Sequence, residues 1–145
     1  MATARPGSGG RPPGWQQEHM RRYLASGGQD GHNWEGVTTL LLTTRGRRSG
    51  ESRTTPLIYG RDGERYVIVA SRGGAPKHPN WYENLAANPD VDVQVMADRF
   101  KARARTATAA EKPALWKTMT AIWPPYDEYQ QRTPREIPVV ILELA

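Results

Sequence analysis

Four arginines fall within nine residues, at Arg45, Arg47, Arg48 and Arg53, beside Gly46 and Gly50 and offset only by Glu51. Guanidinium groups present paired donors that match phosphate and carboxylate oxygens, and glycine lets backbone N–H groups turn toward the same anion. The spacing therefore describes an anion site, with a solvated hairpin loop as the plain alternative. No Gly-Lys-Ser/Thr follows and no Gly-x-Gly-x-x-Gly is present, so triphosphate loops and dinucleotide folds lose weight.

A second constellation is Ser71-Arg72-Gly73-Gly74-Ala75-Pro76-Lys77-His78-Pro79-Asn80-Trp81-Tyr82. A strand ends there, a glycine pair brings backbone close to a ligand, and Pro79 opens a helix whose N-terminal amides attract negative charge. Trp81 and Tyr82 as core and Lys77 as exposed is the competing reading. A third is Trp123, Tyr126 and Tyr129, at i, i+3 and i+6 and stiffened by Pro124 and Pro125. Such rings make a wall for a planar ligand, and tyrosine hydroxyls can donate a proton; packing explains Trp123 equally well.

The elements that must position these groups read as one α+β domain. A chain of 145 residues, 37% hydrophobic, suits a single core, so residues 15–145 are expected to form one domain after a disordered tail at 1–14. No apolar run approaches the ~20 residues of a membrane span, and no signal-like stretch opens the chain, so a cytoplasmic protein is expected. With no cysteine and three scattered histidines, His19, His32 and His78, no metal site is expected. A net charge of +5 favours an anionic partner without choosing among them.

Helices are expected at Trp15–Ser26, Asn80–Ala87, after a capping box at Thr108 and Glu111, and over Tyr126–Gln131. Strands are expected at Val37–Thr44, Ser52–Tyr59, Arg65–Ser71, Val91–Val95, Arg99–Arg105 and Ile137–Leu144. Pro56 marks its strand as bulged or at an edge, and Asp62-Gly63 signals a hairpin. About six mostly antiparallel strands with flanking helices favour a sheet that curls into a barrel, since closure protects edges.

The series Leu42-Thr43-Thr44-x-Gly46-Arg47-x-Ser49-Gly50-x-x-Arg53, Pro56-Leu57, Val69-Ala70-Ser71-x-Gly73-Gly74-Ala75 and Pro79-x-Trp81-Tyr82-x-Asn84-Leu85-x-Ala87-Asn88-Pro89 resembles the deazaflavin-dependent nitroreductase family. The resemblance implies a split β-barrel related to the FMN-binding pyridoxamine phosphate oxidases. It implies reduced coenzyme F420 as hydride donor and a quinone or nitroaromatic as acceptor. Arg47, Arg48, Ser49 and Arg53, with Pro56 behind them, would hold the acidic end of the cofactor. Ser71, Arg72, Gly73, Gly74 and Ala75 would line its tail and ring, and Lys77, Pro79, Asn80 and Trp81 would flank the deazaflavin. Ile58, Trp123, Tyr126 and Tyr129 would face the acceptor, with Tyr126 the first choice of proton donor and Tyr129 the second. Members that activate bicyclic nitroimidazoles carry tyrosine where this chain has Ile58 and usually where it has Trp123, so that substrate class is disfavoured. Arg72 stands where lysine is common. An FMN-binding split-barrel oxidoreductase and a non-catalytic anion-binding module are the rival readings. The arginine-rich face from Arg99 to Arg105 lacks interleaved aromatics and argues against nucleic acid. Contact of the first helix with a membrane surface, and the oligomeric state, stay open.

Overall fold

The computed structural model describes residues 15–29, 32–34 and 36–145. The tail expected at residues 1–14 lies outside the described residues. Eight strands form one antiparallel sheet: β1 (Asn33–Trp34), β2 (Val37–Arg45), β3 (Ser52–Ile58), β4 (Gly60–Asp62), β5 (Arg65–Val69), β6 (Asp90–Val95), β7 (Asp98–Thr106) and β8 (Val139–Leu144). The six longer strands are those expected; β1 and β4, of two and three residues, are too short for periodicity to register. Four helices accompany them: α1 (Trp15–Ala25), α2 (Asn80–Ala87), α3 (Lys112–Ile122) and α4 (Pro125–Arg132). None of the described helices is long and apolar enough to cross a membrane.

The hydrogen-bonded order is β1-β2-β6-β7-β8-β5-β4, with β3 joined to β2 alone. Among the described residues no ladder joins β3 to β5, although the two strands come close, so the curled sheet stays open along that seam. This is the split β-barrel. Alternation along the strands divides the core in two. Val140 and Leu142 of β8, Ile68 of β5 and Leu40 and Leu42 of β2 fill the barrel with Trp81 and Leu85. Val139 and Ile141 of β8, with Val67 and Val69 of β5, pack against Leu115, Met119, Trp123, Tyr126 and Tyr129 of the α3–α4 region.

Two strand ends differ from expectation by two residues, each for a local reason, and the others agree to within one residue. β5 stops at Val69, two residues early, because Arg72, Gly73 and Gly74 all adopt left-handed backbone and turn the chain into a 3₁₀ turn. β8 begins at Val139, two residues late: Pro138 has no N–H to give, and the N–H of Ile137 goes to Gln130 Oε1 at 2.9 Å. Pro56 sits where the sequence placed it, on an edge strand.

The capping box forms as read. Thr108 N–H donates to Glu111 Oε1 at 2.9 Å, and Glu111 N–H donates to Thr108 Oγ1 at 3.2 Å. Arg105 adds two donors to the same carboxylate, at 2.8 and 2.9 Å. Hydrogen bonding from Arg105, then from Thr108, lowers the Glu111 carboxyl to about 2. A carboxylate with a depressed folded-state pKa stabilises the fold fully above its unfolded value near 4.5, and that contribution fades as pH falls toward about 2. Urea unfolding of the wild type and Glu111→Gln should therefore differ at pH 6 and converge between those limits; a constant difference across that range would contradict the pairing.

Candidate active site

The seam between β3 and β5 opens into a groove of 780 Å³. Its length follows from the β2–β3 register, which sets Thr44 opposite Arg53 at one end and Thr39 opposite Ile58 at the other. Both pairs line the groove, and the five residue-to-residue steps from one pair to the other span about 17 Å. One end is cationic and the other aromatic.

Arg47, Arg48, Ser49 and Arg53 line the first end, with Pro56 further along β3 and Arg72 and Gly73 arriving from β5 across the seam. The nearest carboxylates are peripheral: Glu51 lies 3.6 Å from Arg53, and Glu83 lies 3.8 Å from Arg47. Arg47 is positioned by Asn84 of α2, whose buried Oδ1 accepts from its backbone N–H at 3.2 Å and its Nη1 at 2.9 Å. Asn84 Nδ2 donates in turn to Thr44 Oγ1 at 3.4 Å. This amide ties the arginine loop to the helix that carries Asn80 and Trp81, both of which, with Pro79, also line the groove.

The turn after β5 is held by a residue far away in sequence. Arg135 Nη2 donates to Ser71 O at 2.7 Å, Nε to Ala75 O at 2.8 Å, and Nη1 to Ala70 O at 3.3 Å and His78 Nδ1 at 3.0 Å. Burial, and then the Arg135 charge, push the His78 ring below its usual value, which keeps it neutral and able to accept. Between the clamped carbonyls, Arg72 takes φ 47°, a costly conformation for a residue with a Cβ. Ser71, Arg72 and Gly73 thereby face the groove. Gly74, Ala75 and Lys77 are not among its lining residues. Gly74 instead touches α4, where a Cβ would stand 2.6 Å from Tyr129 O. Ala75 offers its carbonyl to Arg135, and Lys77 is exposed.

Ile58, Trp123, Tyr126 and Tyr129 meet at the second end. The Trp123 indole donates to Tyr129 Oη at 3.4 Å, and the Tyr126 ring stands edge-on to Tyr129 at 6.1 Å and 75°. No hydrogen bond joins the Tyr126 hydroxyl to another described residue. Burial, and secondarily Tyr129, push the Tyr126 phenol above its ordinary value, so it is a neutral donor at any working pH. His19 of α1 and Thr39 also line the groove and were not singled out as site residues from sequence. The one available signal was that His19 and Tyr23, four apart on a helix, share a face.

A family described as F420H(2)-dependent quinone reductase matches residues 15–144 of the chain. An F420H(2)-dependent quinone reductase of Mycobacterium tuberculosis strain H37Rv is 42% identical over 128 residues, covering 86% of both chains. A solved F420-H2 dependent reductase superposes with TM-score 0.67 at 43% identity, over 72% of this chain and 93% of that one. A further structure, described as a domain-swapped dimer, gives TM-score 0.71 at 41% identity over 92% of this chain and all of the other.

Proposed function

Since the chain belongs to the F420H(2)-dependent quinone reductase family, we propose that it is an oxidoreductase that uses reduced coenzyme F420 to reduce a quinone. The observation that carries the reading is the polarity of one groove: guanidiniums at one end and an aromatic wall at the other, about 17 Å apart. The residues present suit the coenzyme. Arg47, Arg48, Arg53 and Arg72 match a polyanion, while Pro56, Trp81 and Val69 supply apolar surface for a flat ring. A groove of 780 Å³ is also of the size that cofactor sites occupy.

When bound, F420 supplies a hydride from its reduced ring. The protein's part is to bind, orient and protonate. The arginines fix the anionic end, and the Arg135-clamped turn sets Ser71 to Gly73 along the groove. The wall of Trp123, Tyr126 and Tyr129 excludes water and holds a planar acceptor. Tyr126 keeps its proton for the reduced acceptor oxygen.

The test is parallel titration with oxidised F420, FMN and NADPH, then oxidation of reduced F420 by a quinone panel. F420 should bind with a Kd of about 1 µM or tighter and be reoxidised by quinones. Preferred binding of FMN, with no turnover of reduced F420, would replace this reading with the flavin one. Peripheral membrane contact belongs to the proposal too, supported by the exposed Leu24 of α1 and Met96 of the β6–β7 turn. Failure to co-sediment with anionic vesicles would remove it.

A further inference from the structure

Helix α1 brings a titratable ring into the groove that neither the arginine loop nor the aromatic wall accounts for. His19 is buried yet lines the groove, and its Nε2 lies 3.4 Å from Thr39 Oγ1. Thr39 pairs across the β2–β3 ladder with Ile58, which places His19 at the aromatic end and away from the arginines.

The helix is fixed firmly enough to aim that ring. Tyr23, one turn on from His19, is wholly buried, and its hydroxyl accepts from Met96 N–H at 2.6 Å. Gly28 then passes so close to Met96 that a Cβ there would meet its Cα at 2.2 Å, so the α1 terminus is seated against the β6–β7 turn. The Thr39 hydroxyl donates to His32 O at 3.2 Å, which leaves its oxygen lone pairs for a ring proton on His19 Nε2. At 3.4 Å the Thr39 contact is at the long end for a hydrogen bond, and the ring lines the groove that a carbonyl oxygen would enter.

We propose that His19 is a catalytic residue of the acceptor half-reaction: its Nε2–H donates to a carbonyl oxygen of a quinone seated against Ile58, Trp123 and Tyr126. The proposal rests on the quinone reductase reading above. In the reaction a quinone gains a hydride and a proton and leaves as a hydroquinone; the donor loses the hydride and its electron pair. Hydride addition leaves negative charge on an acceptor oxygen until the proton arrives, and a fixed N–H directed at that oxygen is worth most at that moment. A quinone carries two carbonyl oxygens and so uses both Tyr126 and His19.

His19→Leu should lower kcat/KM for a para-quinone such as menadione about tenfold to hundredfold, while F420 affinity stays within about twofold. His19→Gln, which returns an N–H near the position of Nε2, should recover most of the loss. Quinone kinetics of His19→Leu equal to wild type would overturn the role. If His19→Leu fails to bind F420, the wild type decides: in the F420 complex labelled with ¹⁵N-histidine, added menadione hydroquinone should shift the His19 Nε2 resonance and leave those of His32 and His78 in place. An unmoved His19 resonance at saturation would overturn the role as well. Wild-type protein that passes no hydride from reduced F420 to any quinone would defeat the functional reading itself, a result separate from either failure of His19.

Discussion

Arg135→Met should weaken F420 binding about hundredfold and lower folding stability by about 3 kcal/mol, although Arg135 lines no part of the groove. Four acceptors between Ala70 and His78 converge on one guanidinium, and no other side chain presents donors in that planar fork. Without it the carbonyls of Ala70 and Ala75 lose their side-chain donor, and the left-handed backbone at Arg72 is held only by the turn's own bonds, Gly74 N–H to Ser71 O at 2.9 Å and Ala75 N–H to Arg72 O at 3.1 Å, and by Arg132 at Gly73 O. Binding then has to order a turn that the wild type presents already formed. Arg135→Lys keeps the charge but reaches fewer carbonyls, and it should fall between the two. Fluorescence titration with F420 and urea unfolding read both effects; wild-type affinity in the methionine variant would show that the turn holds its shape unaided.

Tyr126→Phe should lower kcat about hundredfold and leave F420 affinity within about twofold. Its hydroxyl lies at the end of the groove opposite the arginines, so cofactor contacts persist. Tyr129→Phe should cost less, because the Tyr129 oxygen is already engaged by the Trp123 indole at 3.4 Å. The sign of the pH dependence is set by burial: the folded-state phenol sits above its ordinary value, so Tyr126 remains protonated where a free tyrosine would ionise. The wild-type kcat profile should therefore lack an alkaline limb from this group up to at least about pH 10. Stopped-flow single turnovers would separate this step from binding, and equal rates for wild type and Tyr126→Phe would remove tyrosine from proton delivery.

The chemistry legible in the sequence was chemistry carried by neighbours in the chain. The arginine–glycine loop, the Pro56 edge strand, the Thr108–Glu111 cap and the aromatic triplet each depend on spacings of a few residues; the edge strand and the cap's reciprocal bonds form, and Arg47, Arg48 and Arg53 line one groove with the three aromatic rings. Arg135 was not legible, because it lies in an irregular segment and reads as one more exposed charge. Only the pairing of β8 with β5, continued by the bond from Ala70 N–H to Pro138 O, carries it to the turn. Asn84 appeared within the family series but not as a ligand-site residue, since its role depends on α2 crossing the start of the arginine loop. Gly74, read with Gly73 as bringing backbone close to a ligand, lies in the structure against the backbone of α4, a contact that depends on α4 crossing the turn.

The seam that makes the groove also leaves β3, among the described residues, without a partner strand on one side, and such margins recruit foreign strands into aggregates. The ladder from β3 to β2 runs past Pro56 from Ser52 to Ile58 without interruption, so the proline nitrogen, which carries no proton, faces outward. A strand approaching there meets a missing donor and the positive charge of Arg53 before it can extend the sheet. The edge that admits a small planar molecule is thus the one kept closed to polypeptide.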